Sequence, residues 1–207
     1  MKSVRLFVFA LMMALPVLAV ASASHPSDAP AANAPKWNLD RAHSNLTFSI
    51  RHFFTPVVGK FKAYNVDLNF DPNNLAGSSI NVEVDVNSVD TENDSRDGHL
   101  KTADFFDSAA YPKMTFKSSS ITKTGQNSFV AKGKLTIRNI TKDIEMPFTL
   151  LGVQDNPRNP NAQIAGFESS FKLNRLDYGV GSGDYISTAV IGNELTVNIF
   201  LEVNRTK

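Results

Sequence analysis

The chain contains no cysteine. That absence excludes disulfides, thiolate metal sites, a cysteine nucleophile and a lipid-modified N-terminal cysteine. A dominant charge is missing too: 21 basic and 20 acidic residues leave a formal net charge of +1. Such a balance offers no broad attraction for nucleic acid. Only four histidines are present, His25, His43, His52 and His99. None falls at the close spacing of zinc ligands, so no metal centre is expected. Ser44 follows His43, but adjacent strand residues point to opposite faces, which separates a nucleophile from its base. No Gly-x-Ser-x-Gly elbow occurs. The run Gly179-Val180-Gly181-Ser182-Gly183 lacks the lysine of a phosphate loop and reads as a flexible rim loop. Asp90, Glu92, Asp94 and Asp97 miss the ligand order of a calcium loop and read as a solvated acidic turn.

Long apolar runs are absent except at the start. Lys2 and Arg5 precede the apolar stretch Leu6 to Val20, and Ala21-Ser22-Ala23-Ser24 follows. A basic segment, an apolar segment and an Ala-x-Ala site read as a secretory signal peptide over residues 1–23. The apolar stretch is about 15 residues, short of the ~20 that a membrane-spanning helix needs. Removing Lys2 and Arg5 leaves 19 basic residues against 20 acidic ones in the exported chain. Residues 24–36, rich in Ala and Pro, read as a disordered leader. A single folded domain is expected over 37–207.

There the dominant period is two. Leu46, Phe48 and Ile50 alternate with polar residues; so do Ile80, Val82, Val84 and Val86, and Leu195, Val197, Ile199, Leu201 and Val203. Alternation places the apolar side chains of a strand on one face, which implies antiparallel sheets with one wet side. Eight such runs occur, at about 44–52, 59–70, 78–90, 112–121, 127–138, 142–152, 162–174 and 190–204. Several are long against the usual five or six residues. Long strands in one series suit a closed barrel, with a two-sheet sandwich as the alternative. Residues 93–110 break the pattern. Asp94 or Ser95 is placed to cap one short helix and Asp104 another, and the insert is expected to cover one end of the barrel.

The aromatic content is high, with 15 Phe beside one Trp and four Tyr. Eight-stranded barrels are either filled by their own side chains or hollow enough for a ligand. Composition leaves that choice open.

A set of ordered motifs bears on it. Asp40-Arg41-Ala42-His43-Ser44 is followed by Phe48-Ser49-Ile50-Arg51-His52 and Val58-Gly59-Lys60-Phe61. Next come Val86-Asn87-Ser88-Val89-Asp90-Thr91 and Arg96-Asp97-Gly98-His99-Leu100-Lys101. Asp104-Phe105-Phe106-Asp107, with Tyr111-Pro112-Lys113-Met114-Thr115-Phe116, is the most distinctive piece. Gly133-Lys134-Leu135-Thr136-Ile137 and Asn174-Arg175-Leu176-Asp177-Tyr178-Gly179-Val180 complete the series. Together they resemble the YceI-like family of polyisoprenoid-binding periplasmic proteins, over about 37–204. The resemblance implies an elongated eight-stranded antiparallel lipocalin-like β-barrel with a short helical insert. It implies carriage of a long-chain isoprenoid or related lipid in the periplasm, not catalysis, with no cofactor besides that lipid. The tunnel wall would be built by Leu46, Phe48, Ile50, Phe61, Val82, Val84, Met114, Phe116, Leu135, Ile137 and Phe171, with Phe105 and Phe106 from the insert. His52, Arg96, His99 and Arg175 are the candidates for holding a head group. Quinone, polyprenol, polyprenyl phosphate and fatty-acid derivatives all suit such a tunnel. Transient contact with a membrane or a membrane protein, and pairing into a homodimer, are left open.

Burial of ten CH2 groups contributes roughly 8 kcal/mol gross, opposed by the cost of ordering a flexible chain. Two other readings compete: a histidine enzyme acting on a bound lipid or quinone, and a solid barrel that works through partners. Pro147 lies inside an alternating run and fits only at a strand irregularity.

Overall fold

A computed structural model describes residues 33–207; the signal segment at 1–23 and most of the leader at 24–36 lie outside them. The described chain is mostly strand: β1 (Lys36–His52), β2 (Thr55–Phe61), β3 (Tyr64–Asn69), β4 (Ser79–Asp85) and β5 (Val89–Asp90) come first. After the helix α1 (Asp94–Leu100) follow β6 (Lys113–Lys123), β7 (Ser128–Ile137), β8 (Ile140–Asn156), β9 (Asn159–Asn174) and β10 (Ile191–Thr206). Every pairing is antiparallel, and β10 pairs with both β9 and β1, so the sheet closes on itself. The closed barrel replaces the sandwich alternative.

Ten strands make eight staves. β1 pairs with β3 at Lys36 and Trp37 and with β2 from Thr47 to His52, so β2 and β3 are one stave bent at Lys62-Ala63. β4 and β5 likewise continue each other across a 3-10 turn at Val86–Ser88. These staves are the eight alternating runs of the sequence.

β1 starts earlier than the alternation suggests, because a bulge interrupts it. Asp40 faces Glu202, but Asn45 faces Phe200, leaving Arg41 to Ser44 out of register. The Ser44 hydroxyl accepts the Glu202 N–H at 3.0 Å and donates to the Glu202 carbonyl at 3.2 Å, so a side chain mends the broken ladder. His43 points outward to the Asp40 carboxylate at 2.9 Å. The Asp40–Ser44 motif therefore braces a bulge.

Pro147 sits where the ladder of β8 with β9 runs out. β8 pairs with β7 over its first part, through Pro147 opposite Val130, whereas its register with β9 begins at Thr149 opposite Glu168. The Ser169 hydroxyl donates to the Pro147 carbonyl at 2.6 Å. That carbonyl faces β9, so the missing N–H of proline falls on the side where no ladder bond is needed.

The insert departs from expectation in two details. Asn93, not Asp94 or Ser95, caps α1, its side chain accepting the Arg96 N–H at 2.9 Å. No second helix follows: residues 101–110 form successive turns, and Asp107 lies in the left-handed region at φ 51°. Asp104 does not cap; its carboxylate meets His99 at 3.2 Å and its carbonyl accepts the Ser182 N–H at 2.8 Å.

The lower end of the barrel is solid. Phe70 lies edge-on to Phe129, Phe148 and Phe167, with ring centroids 5.2, 5.6 and 5.4 Å away. Trp37 Nε1 donates to the Phe70 carbonyl at 3.0 Å, tying the start of β1 across this plug. Because β1 runs from the plug to His52, where it meets Ile191 and Thr55, the other end holds α1, the insert and the loop before β10.

Candidate functional site

The upper part of the barrel encloses a cavity of about 790 Å³, inside the range of sites that take a lipid- or drug-sized molecule. Inward alternate residues of successive staves supply its wall: Leu46, Phe48 and Ile50 of β1, Phe61 of β2, Val82 and Val84 of β4. Met114 and Phe116 of β6, Leu135 and Ile137 of β7, and Phe171 of β9 continue it, and Phe105 and Phe106 reach it from the insert. His52, Arg96, His99 and Arg175 also line it. One fold feature thus gathers every residue named from the sequence for the tunnel wall or the head group. A narrower void of about 40 Å³ shares Leu46, Val82, Met146 and Ile199 with the cavity and ends on Phe148 and Phe167 of the plug.

Two glycines shape this wall. A Cβ at Gly59 would collide with the Phe48 ring, and one at Gly133 would collide with Phe116. Each ring approaches the bare backbone of the neighbouring stave more closely than any side chain there would allow.

The sequence reading missed part of the wall. Ile144 and Met146 of β8, Leu173 of β9, and Leu195, Val197 and Ile199 of β10 also line it. Their alternation was visible, but an inward face does not reveal whether it meets space or packing. Tyr178, Val180, Tyr185 and Ile191 form a second apolar group with Phe105. Tyr178 and Val180 belong to the motif that begins at Asn174, whereas no local signal in the sequence marks Tyr185 or Ile191.

The mouth is polar and tightly connected. His99 stands edge-on to Phe105 and Tyr185, with ring centroids 5.0 and 4.9 Å away. This contact joins α1 to the 3-10 turn Gly183–Ile186. Arg96 donates from Nε to Thr91 Oγ1 at 2.7 Å and from Nη2 to the Thr91 carbonyl at 2.6 Å. Thr91 in turn donates its N–H and hydroxyl to Asp97 Oδ1. Asp97 is consequently buried, not one of a set of solvated acids. Its neighbour Asp90 does face water, beside Lys60 and Lys62; the Glu92 N–H and these ammonium groups hold its carboxyl below the usual range.

Arg175 is 5% exposed. It donates from Nε to the Gly192 carbonyl at 2.9 Å, from Nη1 to Val180 at 2.9 Å and from Nη2 to Ile191 at 3.1 Å. Burial pulls its pKa below the ordinary value, yet a guanidinium remains charged at neutral pH. The glycine-rich loop lies at the rim as expected, folded around this side chain. Gly181, at φ 96°, leaves no room for a Cβ beside Nη1.

Outside the barrel, Asp40, His43 and Glu202 bring ligand-type atoms within 4.8 Å of one another. Linear spacing hid this group, since Glu202 arrives from β10. An ion pair accounts for it: the Asp40 carboxylate raises the pKa of His43, and the His43 ring lowers that of Asp40.

The family comparison agrees with this architecture. The model of the YceI-like domain matches residues 37–203. A UPF0312 protein of Vibrio cholerae is 33% identical over 162 residues, covering 75% of this chain and 85% of the relative. The crystal structure of Burkholderia cenocepacia BcnA superposes with a TM-score of 0.72 at 27% identity, over 82% of this chain and all of that one. A polyisoprenoid binding domain from Saccharophagus degradans shares the fold at a TM-score of 0.58 and 14% identity, over 81% of this chain and 96% of that one. The match over nearly the whole barrel, together with the shared fold, means that the chain belongs to the YceI-like family.

Proposed function

We propose that this protein binds and carries a long apolar lipid of isoprenoid type inside the barrel, in the periplasm, as a binding protein and not an enzyme. The observation that carries the reading is a barrel solid at one end and hollow at the other, its hollow walled by apolar side chains from staves all around. A flexible chain gains burial along the tunnel, and each CH2 removed from water contributes about 0.8 kcal/mol. The family, and the polyisoprenoid binding domain of Saccharophagus degradans that shares this fold, support the choice of an isoprenoid. The residues of the wall are the proposed chain contacts; His52, Arg96, His99 and Arg175 are the proposed head-group contacts.

Exposed apolar residues support transient contact with a membrane. Phe54 is 97% exposed and Phe53 49% exposed at the β1–β2 turn, where the Phe53 N–H donates to the carbonyl of the exposed Val190 on the mouth side. The basic, apolar and Ala-Ser-Ala segments at the N-terminus support export.

Organic extraction of protein purified from its native envelope, followed by mass spectrometry, tests the reading. A long-chain isoprenoid in near-stoichiometric yield is expected. Protein that emerges free of lipid, and that takes up none when offered, would leave the solid-barrel reading in its place.

A further inference from the structure

Nine lysines on the outer surface lie within 4.0 Å of a carboxylate: Lys36, Lys60, Lys62, Lys113, Lys132, Lys134, Lys142, Lys172 and Lys207. The arginines follow a different pattern: among the described residues only Arg138, outside the cavity wall, forms an ion pair. Arg51, Arg96 and Arg175 all line the cavity, and among the described residues none of them forms an ion pair. Asp184 is the one carboxylate in that wall, and it is exposed. The cavity therefore carries an excess of positive charge at its mouth and none in its depth.

The three arginines share one end of the barrel. Gly192 lies against the Arg51 backbone, and its carbonyl accepts from Arg175 Nε. Arg96 comes from α1, whose His99 is packed on Tyr185 in the loop that follows Arg175. The partners of Arg175 are three carbonyls, and those of Arg96 are the hydroxyl and carbonyl of Thr91. These dipoles fix both guanidinium groups in place without a direct bond to a carboxylate; behind Arg96, the Thr91 hydroxyl itself donates to Asp97, while Arg175 has carbonyl partners alone. A guanidinium has five N–H donors, so Arg96 and Arg175 keep donors beyond those bonds. Arg175 is buried, and a buried charge without a counter-ion is costly; an incoming anion relieves that cost while making charge-assisted hydrogen bonds, which the exposed Arg51 and Arg96 also offer.

We infer that the cavity selects an anionic amphiphile, a phosphate or carboxylate on a long apolar chain, whose head group is held at the mouth by Arg51, Arg96 and Arg175. This rests on the lipid-carriage reading and narrows it: a neutral alcohol or quinone fills the tunnel but brings the arginines no anion.

Calorimetric titration of delipidated mature protein with geranylgeraniol, geranylgeranoic acid and geranylgeranyl phosphate tests it with one chain and three head groups. At least one anion is expected to bind about tenfold or more tightly than the alcohol. That advantage should shrink as salt rises. The double variant Arg51→Gln, Arg96→Gln should lose the advantage while still binding the alcohol. Arg158→Gln, in the turn between β8 and β9 at the opposite end, should keep it. Thermal melts confirm that each variant is folded; the double variant leaves the loop around Arg175 intact. Equal binding of all three probes, or an anion preference that survives the double variant, overturns the inference and leaves lipid carriage standing. Failure of all three to bind overturns lipid carriage itself.

Discussion

Phe48 and Phe129 both occupy inward faces of the barrel, but their surroundings differ. Phe129 is 1% exposed and stacks at 5.3 Å on Phe148 within the plug. Phe48 stands 5.6 Å from Phe61 and faces open cavity. Truncating a ring that is packed on all sides leaves a void, whereas a ring on a cavity wall loses contacts on part of its surface only. Phe129→Ala should therefore cost about 3–5 kcal/mol in denaturant unfolding. Phe48→Ala should cost distinctly less, about 1–2 kcal/mol, and should alter the amount or chain length of co-purified lipid. Equal stability losses with unchanged lipid would mean that the two rings belong to one packed core. Alternation revealed that both residues point inward. It could not reveal which of them meets space, because that depends on what six other staves bring to the same level.

The elements differ in how completely they are tied into the wall. β10 is paired along its length with β9 and again with β1, whereas the first part of β8 is paired with β7 alone. The Pro147 carbonyl faces β9, so the N–H groups of Asp143 and Glu145, two and four residues back on the same side, face that seam as well. Ile144 and Met146 on one bank and Phe171 and Leu173 on the other line the cavity there. Hydrogen exchange should find the amides of Asp143 and Glu145 among the fastest in the barrel strands, and those of Ala131 and Val197 among the slowest. Uniform protection along β8 would show a wall that is sealed at this level. The seam had one trace in the sequence, a proline in an alternating run. The bulge at Arg41–Ser44 had a trace too, but its Asp, His and Ser invited a chemical reading until the pairing with Glu202 gave them a structural task.

At the scale of the whole molecule, the proposed carriage of a lipid in the periplasm requires export. The segment proposed for removal is residues 1–23, with its Ala21-Ser22-Ala23 sequence. Intact-mass analysis of protein recovered from the periplasm should give a chain that begins at Ser24. A mature form that still carries Met1 to Val20 would place the protein on the membrane and remove the basis for a freely moving carrier. The described residues hold the start of the barrel firmly: the Ala34 N–H donates to the Gly77 carbonyl and the Phe70 N–H to that of Pro35. Any tether begins ahead of these bonds.

The sequence by itself determined the class of fold, the number of staves and the inward set of side chains, because a two-residue period reports directly on which face of a strand each residue occupies. It also supplied the family, through short motifs that keep their order over the barrel. Only the tertiary structure decided where the inside is full and where it is hollow. Four phenylalanines from four separate runs meet in the plug, and two glycines make room for the Phe48 and Phe116 rings higher up. Likewise, only folding set three arginines from separate segments at one mouth, none of them in an ion pair among the described residues. Closure of the sheet brings such residues together, and their spacing along the chain carries no record of that closure.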